Sequence, residues 1–199
     1  MPRTKTYARD ELVTKAMTLF WTTGYYATSI DDLVKGTGVS RHGLYKEFGG
    51  KQGMFENVLE AYGEGVVSPA FAQVEAKDAG LEAIRRYFEM QIRQAEAGGL
   101  PGPGCLMANT MAESGPHEPP FARLVRWHLT RLEKGFAHAL ANEARARGLS
   151  TSPDVDALAR FATISAQGLW SYSRMISDAG PLRDHARQLL MILEQGLAR

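Results

Sequence analysis

The 199-residue chain has one cysteine, almost no net charge and no long apolar run. A single cysteine, Cys105, cannot form an intramolecular disulfide, which excludes a disulfide-stapled secreted scaffold and fits a reducing compartment. No apolar run approaches the roughly 18 residues needed to span a bilayer, and the amino terminus lacks the apolar core of a signal peptide. We therefore expect a cytoplasmic protein without membrane contact.

Strand patterns are almost absent as well. Alternation of β-branched and polar residues never persists, whereas apolar residues recur at three- and four-residue steps along nearly the whole chain. Hydrophobic residues make up 44% of the sequence, which is enough to form a real core. The sequence predicts an all-α fold.

Glycines divide the first fifty residues into short helical segments. Gly24 and Gly38 suit the position that ends a helix, while Thr28 or Ser29, and later Ser40, suit the cap that begins one. The segments are predicted to end near residues 23, 37 and 48, and a fourth begins near residue 51. Two short helices joined by a tight glycine turn form the helix-turn-helix pattern, whose second helix enters the DNA major groove.

The helical pattern is interrupted at Gly63, Gly65 and Pro69, where we expect the fourth helix to kink or end. We place the domain boundary there. The predicted division is a helix-turn-helix domain at 1–52, a connecting helix region at 53–78 and a helical body at 79–199. Body helices are predicted over about 79–97, 105–113, 120–147, 153–177 and 181–197, and a glycine-rich loop at 98–104 ends the first of them.

The second helix of the motif has an apolar side and a polar side. Leu44 and Phe48 are predicted to anchor it, which leaves the polar side chains pointing outward. Arg41 is suited to donate two hydrogen bonds to guanine, and His42 to donate or accept at a neighbouring base. Gly43 has no side chain, so the backbone is able to approach the bases closely there.

Other residues of the same region are suited to contact DNA phosphates. Tyr45, Lys46 and Lys51 have the reach, and so do the free amide groups near Thr28 and Ser29. Residues 1–52 contain eight basic and five acidic side chains, so the positive charge of the chain is concentrated there. Spacing and charge alone fit a DNA-binding surface and an ordinary solvated surface equally well.

Residues 9–55 closely resemble the DNA-binding domain of the TetR family of bacterial regulators. The matching positions are Ala16, Leu19-Phe20, Gly24-Tyr25, Thr28-Ser29-Ile30 and the segment GVSRHGLYKEFGGK from Gly38 to Lys51. The resemblance implies a homodimer, in which each subunit carries a three-helix DNA-binding head on a helical-bundle body for ligand binding and dimerisation. It also implies a palindromic double-stranded DNA operator, usually repression, and release by a small-molecule effector.

Carried over position by position, the resemblance implies particular contacts to DNA. The bases would be faced by Arg41, His42 and Gly43. The phosphates would be held by Thr28, Ser40, Tyr45, Lys46 and Lys51. Glu47 departs from the aromatic residue or histidine often found at its position, so its role stays open between accepting a hydrogen bond from cytosine and facing solvent.

The two long carboxy-terminal helices suit a four-helix bundle across a two-fold axis, and the resemblance places the dimer interface there. The candidate interface residues are Phe161, Ala162, Ser165, Gly168, Leu169 and Tyr172. Packing of the same residues within one subunit is the alternative.

An effector pocket is predicted in the body around a short helix. Polar candidates recur every four residues at Cys105, Asn109 and Glu113. The apolar walls would be formed by Phe88, Met107, Met111, Trp127 and Trp170. The alternative is that these side chains belong to the ordinary core.

Cys105 offers a second hypothesis, that of a thiol sensor. It begins a short helix after a glycine-rich loop, where the positive helix end is able to lower the pKa of the thiol and favour the thiolate. The GCL segment also resembles that of family members that sense electrophiles or oxidants. A buried cysteine that acts as a small apolar residue is the alternative.

Two other function classes fit the sequence less well. The five histidines are scattered, and the chain has no paired Glu-x-x-His motif, phosphate-binding glycine loop or Gly-x-Ser-x-Gly turn, so we expect no enzymatic activity, metal or cofactor. An architectural protein that binds DNA without sequence preference would carry a larger positive charge than +1.

Overall fold

The computed structural model describes residues 8–114, 117–148 and 154–198, and these contain helices and loops but no strand. The helices are α1 (Arg9–Thr23), α2 (Ile30–Thr37), α3 (Arg41–Phe48), α4 (Lys51–Tyr62), a π-helical segment (Gly63–Val67), α5 (Ser68–Phe71), α6 (Leu81–Gly98), α7 (Leu106–Ser114), α8 (Pro119–Ala146), α9 (Val155–Tyr172) and α10 (Gly180–Leu197). The predicted all-α fold is confirmed. Within the described part of the chain, no helix is long and apolar enough to cross a membrane.

Each cap of α1, α2 and α3 described below is formed by a hydrogen bond to a residue three or four positions away in the chain. Gly24 ends α1 with a φ of 95°, and its amide donates to the carbonyl of Phe20. Ser29 begins α2 in a reciprocal capping box, because its hydroxyl accepts from the amide of Asp32 while the carboxylate of Asp32 accepts from the amide of Ser29. Ser40 begins α3 by accepting from the third amide of that helix. These helices therefore have the predicted boundaries.

Helix α4 does not end at the glycines that follow it. It continues into the π-helical segment and then into α5, so the predicted interruption is a local change of winding. The hydroxyl of Ser68 donates to the carbonyl of Gly63 at 2.8 Å and itself accepts from the guanidinium of Arg131. Since α4 packs on α1 and α3 as well as on α7 and α8, the head and the body share one continuous core.

The body is built around the pair α8 and α9, with α6 and α10 packed against it and α7 closer to the head. Helix α9 ends at Tyr172, five residues earlier than predicted. The carbonyl of Ser173 accepts from the amide of Gly102 in the glycine-rich loop, and its hydroxyl turns back onto the carbonyl of Trp170. This contact between distant parts of the chain ends the helix. The predicted start near Pro153 lies outside the described residues.

Candidate DNA-binding surface and body cavity

Helix α3 presents one buried face and one exposed face. Leu44 and Phe48 are buried in the head, as predicted for the anchoring residues. Four polar side chains at the start of α3 and along its outer face are exposed, namely those of Ser40, Arg41, His42 and Lys46, and Tyr45 is about half exposed. The amide of Gly43 donates to the capping hydroxyl, and Gly43 itself lies half-buried on the same helix. The helix therefore carries a polar outer side that is available to DNA.

Arg41 is held by an acidic neighbour at the start of α2. Its guanidinium donates to the carboxylate of Asp31 at 2.7 Å, and both side chains remain largely exposed. An exposed ion pair of this kind is worth about 1 kcal/mol or less, so exchanging it for a guanine base costs little. Asp31 was not among the predicted site residues.

The side chain of Thr28 is not placed for the predicted phosphate contact, whereas the contact predicted for the amide groups near it stays a prediction. Its side chain is only 1% exposed, and its hydroxyl donates to the carbonyl of Gly24 at 2.6 Å. A buried and already bonded hydroxyl has no access to a DNA phosphate. The exposed neighbour, Ser29, caps α2. The sequence had left open whether Thr28 or Ser29 forms this cap.

Lys51 and Glu47 both have partners within the protein. The ammonium of Lys51 lies 4.4 Å from the centroid of the Tyr25 ring, and partial burial lowers its pKa. Glu47 forms an ion pair with Arg9 at 3.4 Å, and only 15% of its side chain is exposed. Arg9 also lies over the ring of Phe48. Glu47 therefore ties α1 to α3, which differs from both roles left open for it.

The body contains a cavity of about 350 Å³ next to the head. Its walls come from α1, the end of α4, the π-helical segment, α6, the glycine-rich loop, α8 and α9. Cys105 and Trp170 line it, as predicted. Its volume lies at the lower end of the range of small-molecule sites.

The other predicted pocket residues do not line this cavity, and three of them are held in the interior. Phe88 stacks on Phe136 in the core, and Met107 is buried. The amide nitrogen of Asn109 donates to the carbonyl of Pro103, which fixes the glycine-rich loop. Helical spacing correctly placed these residues inside the protein but did not identify which neighbours they face.

Met111, Trp127 and Glu113 point outward. Met111 is exposed, and Trp127 lies on the outer side of α8 beneath the guanidinium of Arg131. The spacing of Cys105, Asn109 and Glu113 drifts around the helix because four residues exceed one turn of 3.6. The last of them therefore leaves the face on which Cys105 lies.

Glu113 joins the body to the head. One carboxylate oxygen accepts from the amide of Tyr25 at 2.9 Å, and the other accepts from the amide of Tyr26 at 2.7 Å. A Cβ atom on Gly24 would lie 3.0 Å from the same carboxylate. The ring of Tyr25 also packs edge-on against Phe121 of α8, with the centroids 4.7 Å apart. The loop between α1 and α2 is thus clamped by two body helices.

Two buried polar side chains of the cavity contain nitrogen atoms without a hydrogen-bond partner. His128 is 3% exposed and both of its ring nitrogens are unpartnered; Gln167 is 7% exposed and its amide nitrogen is unpartnered. Burial, followed by the charge of Arg131, lowers the pKa of His128 to about 4, so its imidazole is neutral at pH 7. Sequence reasoning missed both residues, although a polar residue on the apolar side of a long helix was an available signal.

Cys105 is buried, and burial raises the pKa of its thiol. Hydrogen bonds from the amides of α7 act in the opposite direction but are the smaller effect. The predicted lowering of the thiol pKa is therefore wrong, because desolvation outweighs the helix end. Cys105 lines the cavity as a protonated, mostly apolar side chain.

The predicted dimer residues divide between the two sides of α9. Ala162, Ser165 and Leu169 are buried within the protomer, which favours the alternative of internal packing. Phe161 is half-buried, whereas Gly168 and Tyr172 are exposed. The same outer side carries Ile164, which is 71% exposed, and Met175 follows it just beyond the helix at 83%.

Among the residues that the structure describes, no three His, Cys, Asp or Glu side chains come together as metal ligands.

Comparisons with known proteins match both parts of the chain. A model of the bacterial regulatory proteins of the tetR family matches residues 12–58, and a model of the tetracyclin repressor-like C-terminal domain matches residues 80–190. The HTH-type transcriptional regulator YezE of Bacillus subtilis is 30% identical and covers 98% of this chain and 100% of its own length. The HTH-type transcriptional repressor ComR of Escherichia coli is 32% identical over 84% of this chain and 80% of its own.

A solved structure agrees. A TetR transcriptional regulator from Chloroflexus aurantiacus superposes with a TM-score of 0.80 at 25% identity, covering 94% of both chains. The resemblance found in the head therefore extends through the body. The chain belongs to the TetR family of DNA-binding transcriptional regulators.

Proposed function

We propose that this regulator is a homodimeric repressor that binds a palindromic operator and is released when a small molecule enters the body cavity. The observation that carries the proposal is that the cavity shares its walls with the head. The indole of Trp21, on α1, lines the cavity and donates to the carbonyl of Gly104 at 3.0 Å. The relative ComR is named as a repressor, which favours repression over activation.

In this proposal, base reading falls to the exposed start of α3. Arg41 and His42 contact base edges, with Gly43 allowing close approach, while Ser40, Tyr45 and Lys46 contact the backbone together with the helix start at Ser29. Lys51 contacts a phosphate from its position over Tyr25. Two heads that enter successive major grooves lie about 34 Å apart, which requires a two-fold dimer and a palindromic site.

The dimer forms through the outer side of α9 and the neighbouring side of α10. Ile164, Gly168 and Tyr172 recur at helical spacing along α9, and Met191 and Ile192 are exposed on α10. Exposed apolar side chains gathered on two adjacent helices mark a surface that is covered in the assembled protein. Small Gly168 permits close approach of the partner helix.

Two helices connect the cavity to the head, and we expect ligand binding to release the operator through them. Tyr62 and Val66, at the end of α4 and in the π-helical segment, line the cavity, and α4 continues directly into the head. Helix α7 has Cys105 at one end beside the cavity and Glu113 at the other end on the head loop. A ligand that moves either helix changes the position of the recognition helix, and the distorted winding of the π-helical segment provides a place for strain to be absorbed.

The operator sequence is found by selecting, from a random library of DNA duplexes, those that the full-length protein binds. We expect an enriched palindrome whose half-sites lie one helical turn apart. Arg41→Ala lowers the affinity for that site by roughly 10- to 100-fold in gel-shift titrations and changes binding to bulk DNA little. Arg93→Ala, an exposed charge change on α6 in the body, is the matched control and leaves both affinities unchanged. Enrichment of no palindrome, or unchanged discrimination in Arg41→Ala, contradicts the proposal.

A further inference from the structure

The cavity has no charged residue on its described walls. Its lining is aromatic, aliphatic, glycine-rich or neutral polar, and no Lys, Arg, Asp or Glu belongs to it. The nearest cation that acts on His128, Arg131, is occupied outside the cavity by two hydrogen bonds to Glu75 and one to Ser68. A charged ligand would lose its hydration here without gaining an opposite charge, which is strongly unfavourable.

Two residues that line the cavity carry buried polar atoms without hydrogen-bond partners among the described residues. A buried donor or acceptor without a partner destabilises the folded protein, so buried polar atoms are rarely left unpaired. Here three such atoms, the two ring nitrogens of His128 and the amide nitrogen of Gln167, occur on two helices that both border the same cavity. Most of the wall around them is apolar, including Leu132, Trp170 and Val67.

We propose that the cavity binds an uncharged, largely apolar small molecule through one carbonyl or hydroxyl oxygen that accepts hydrogen bonds from His128 and Gln167. A neutral imidazole donates from one nitrogen and accepts at the other, and the amide nitrogen of Gln167 only donates. One oxygen acceptor satisfies both donors, whereas the second imidazole nitrogen lies on the other edge of the ring and is not reached by the same oxygen. Anionic ligands are excluded by the absence of a cation, and cationic ligands by the absence of a carboxylate.

This inference rests on the proposed function only in taking the bound molecule as the effector. Its test therefore uses the full-length protein without DNA. Three probes of nearly the same shape separate the chemical classes: 2-acetylnaphthalene is a neutral ketone, 2-naphthoate is an anion and 2-ethylnaphthalene is apolar. Ligand-observed NMR titrations give the three affinities, and thermal unfolding in the presence of each probe checks them.

We expect the ketone to bind at least tenfold more tightly than the anion and several-fold more tightly than the apolar probe. His128→Leu and Gln167→Leu each reduce the preference for ketone over ethyl group at least several-fold, because each removes a donor while keeping an apolar wall. If His128→Leu does not fold, Gln167→Leu alone still tests the loss of a donor. Thr163→Val is the matched control, since Thr163 is buried with an unpartnered hydroxyl but does not line the cavity. This variant keeps the wild-type affinities.

Three results overturn the inference. The first is equal or tighter binding of 2-naphthoate, which would require a cation at the site. The second is a ketone preference that survives both leucine substitutions. The third is no binding of the ketone or the apolar probe at millimolar concentration, which would leave water as the occupant. Operator selection with the ligand-free protein is independent of all three, so failure of the repressor proposal and failure of this inference are distinguishable.

Discussion

Replacing His128 with leucine measures how much the buried imidazole contributes to the pH dependence of stability. In the folded protein, burial holds the pKa of His128 near 4, whereas an imidazole in the unfolded chain titrates near 6.5. Between these pH values the unfolded chain binds a proton that the folded protein does not bind. The free energy of unfolding therefore decreases as the pH falls from 6.5 towards 4.

The size of the effect follows from the shift. One pKa unit corresponds to about 1.4 kcal/mol, and pH 5.0 lies about one and a half units below the unfolded value, so His128 removes about 2 kcal/mol of stability between pH 7.5 and pH 5.0. His128→Leu removes this dependence. It also removes two unpartnered nitrogens, for which we expect a gain of about 1 to 3 kcal/mol at pH 7.5.

Urea unfolding followed by circular dichroism at both pH values measures these differences. One protein concentration is used throughout, because self-association makes stability depend on concentration. His185→Gln is the control, since His185 is exposed on α10, and it keeps the wild-type change between the two pH values. If the wild type and His128→Leu lose the same stability on acidification, the folded imidazole accepts a proton freely and the reasoning is refuted.

Four further substitutions test the contacts between the body and the head and the dimer interface. Glu113→Ala removes the acceptor for the head-loop amides, so we expect operator binding in gel shifts to persist while release by a cavity ligand weakens several-fold; full release would contradict the coupling. Gly24→Ala adds a Cβ against that carboxylate at a φ of 95°, whereas Gly38→Ala at 76° meets open space. Thermal unfolding should therefore show the larger loss, by about 1 kcal/mol, for Gly24→Ala, and equal losses would argue against the close contact. Ile164→Glu should yield monomers in light scattering at micromolar concentration, and an intact dimer would exclude this face.

The head could be predicted from the sequence because its boundaries depend on neighbours in the chain. Gly24 ends α1 through a bond to the carbonyl four residues earlier, and Ser29 and Ser40 cap through bonds to the third residue that follows each. Such contacts lie within the span that residue spacing describes. Thr28 is the exception, since spacing along the chain did not show that its side chain is buried.

The cavity could not be predicted in the same way because it depends on which helices meet. His128 and Gln167 lie on α8 and α9, and only their packing brings the two side chains to one space. The end of α9 depends likewise on Gly102, whose amide bonds to a carbonyl some seventy residues later. Periodicity reports that a residue faces inward and carries no information about its partner.

Glu113 is a residue whose packing partner differs from the one that its spacing suggested. Its spacing with Cys105 suggested one shared pocket, but Cys105 directly precedes α7 at the cavity, whereas Glu113 lies near the other end of α7 at the head loop. A nine-residue helix is about 13 Å long and moves as a unit, so a displacement at the cavity reaches the head without any change in the helix itself. The proposed release then requires only that the ligand binds one position of α7 more tightly than the other. Under the proposed function, hydrogen bonds from His128 and Gln167 to the ligand would supply part of that energy.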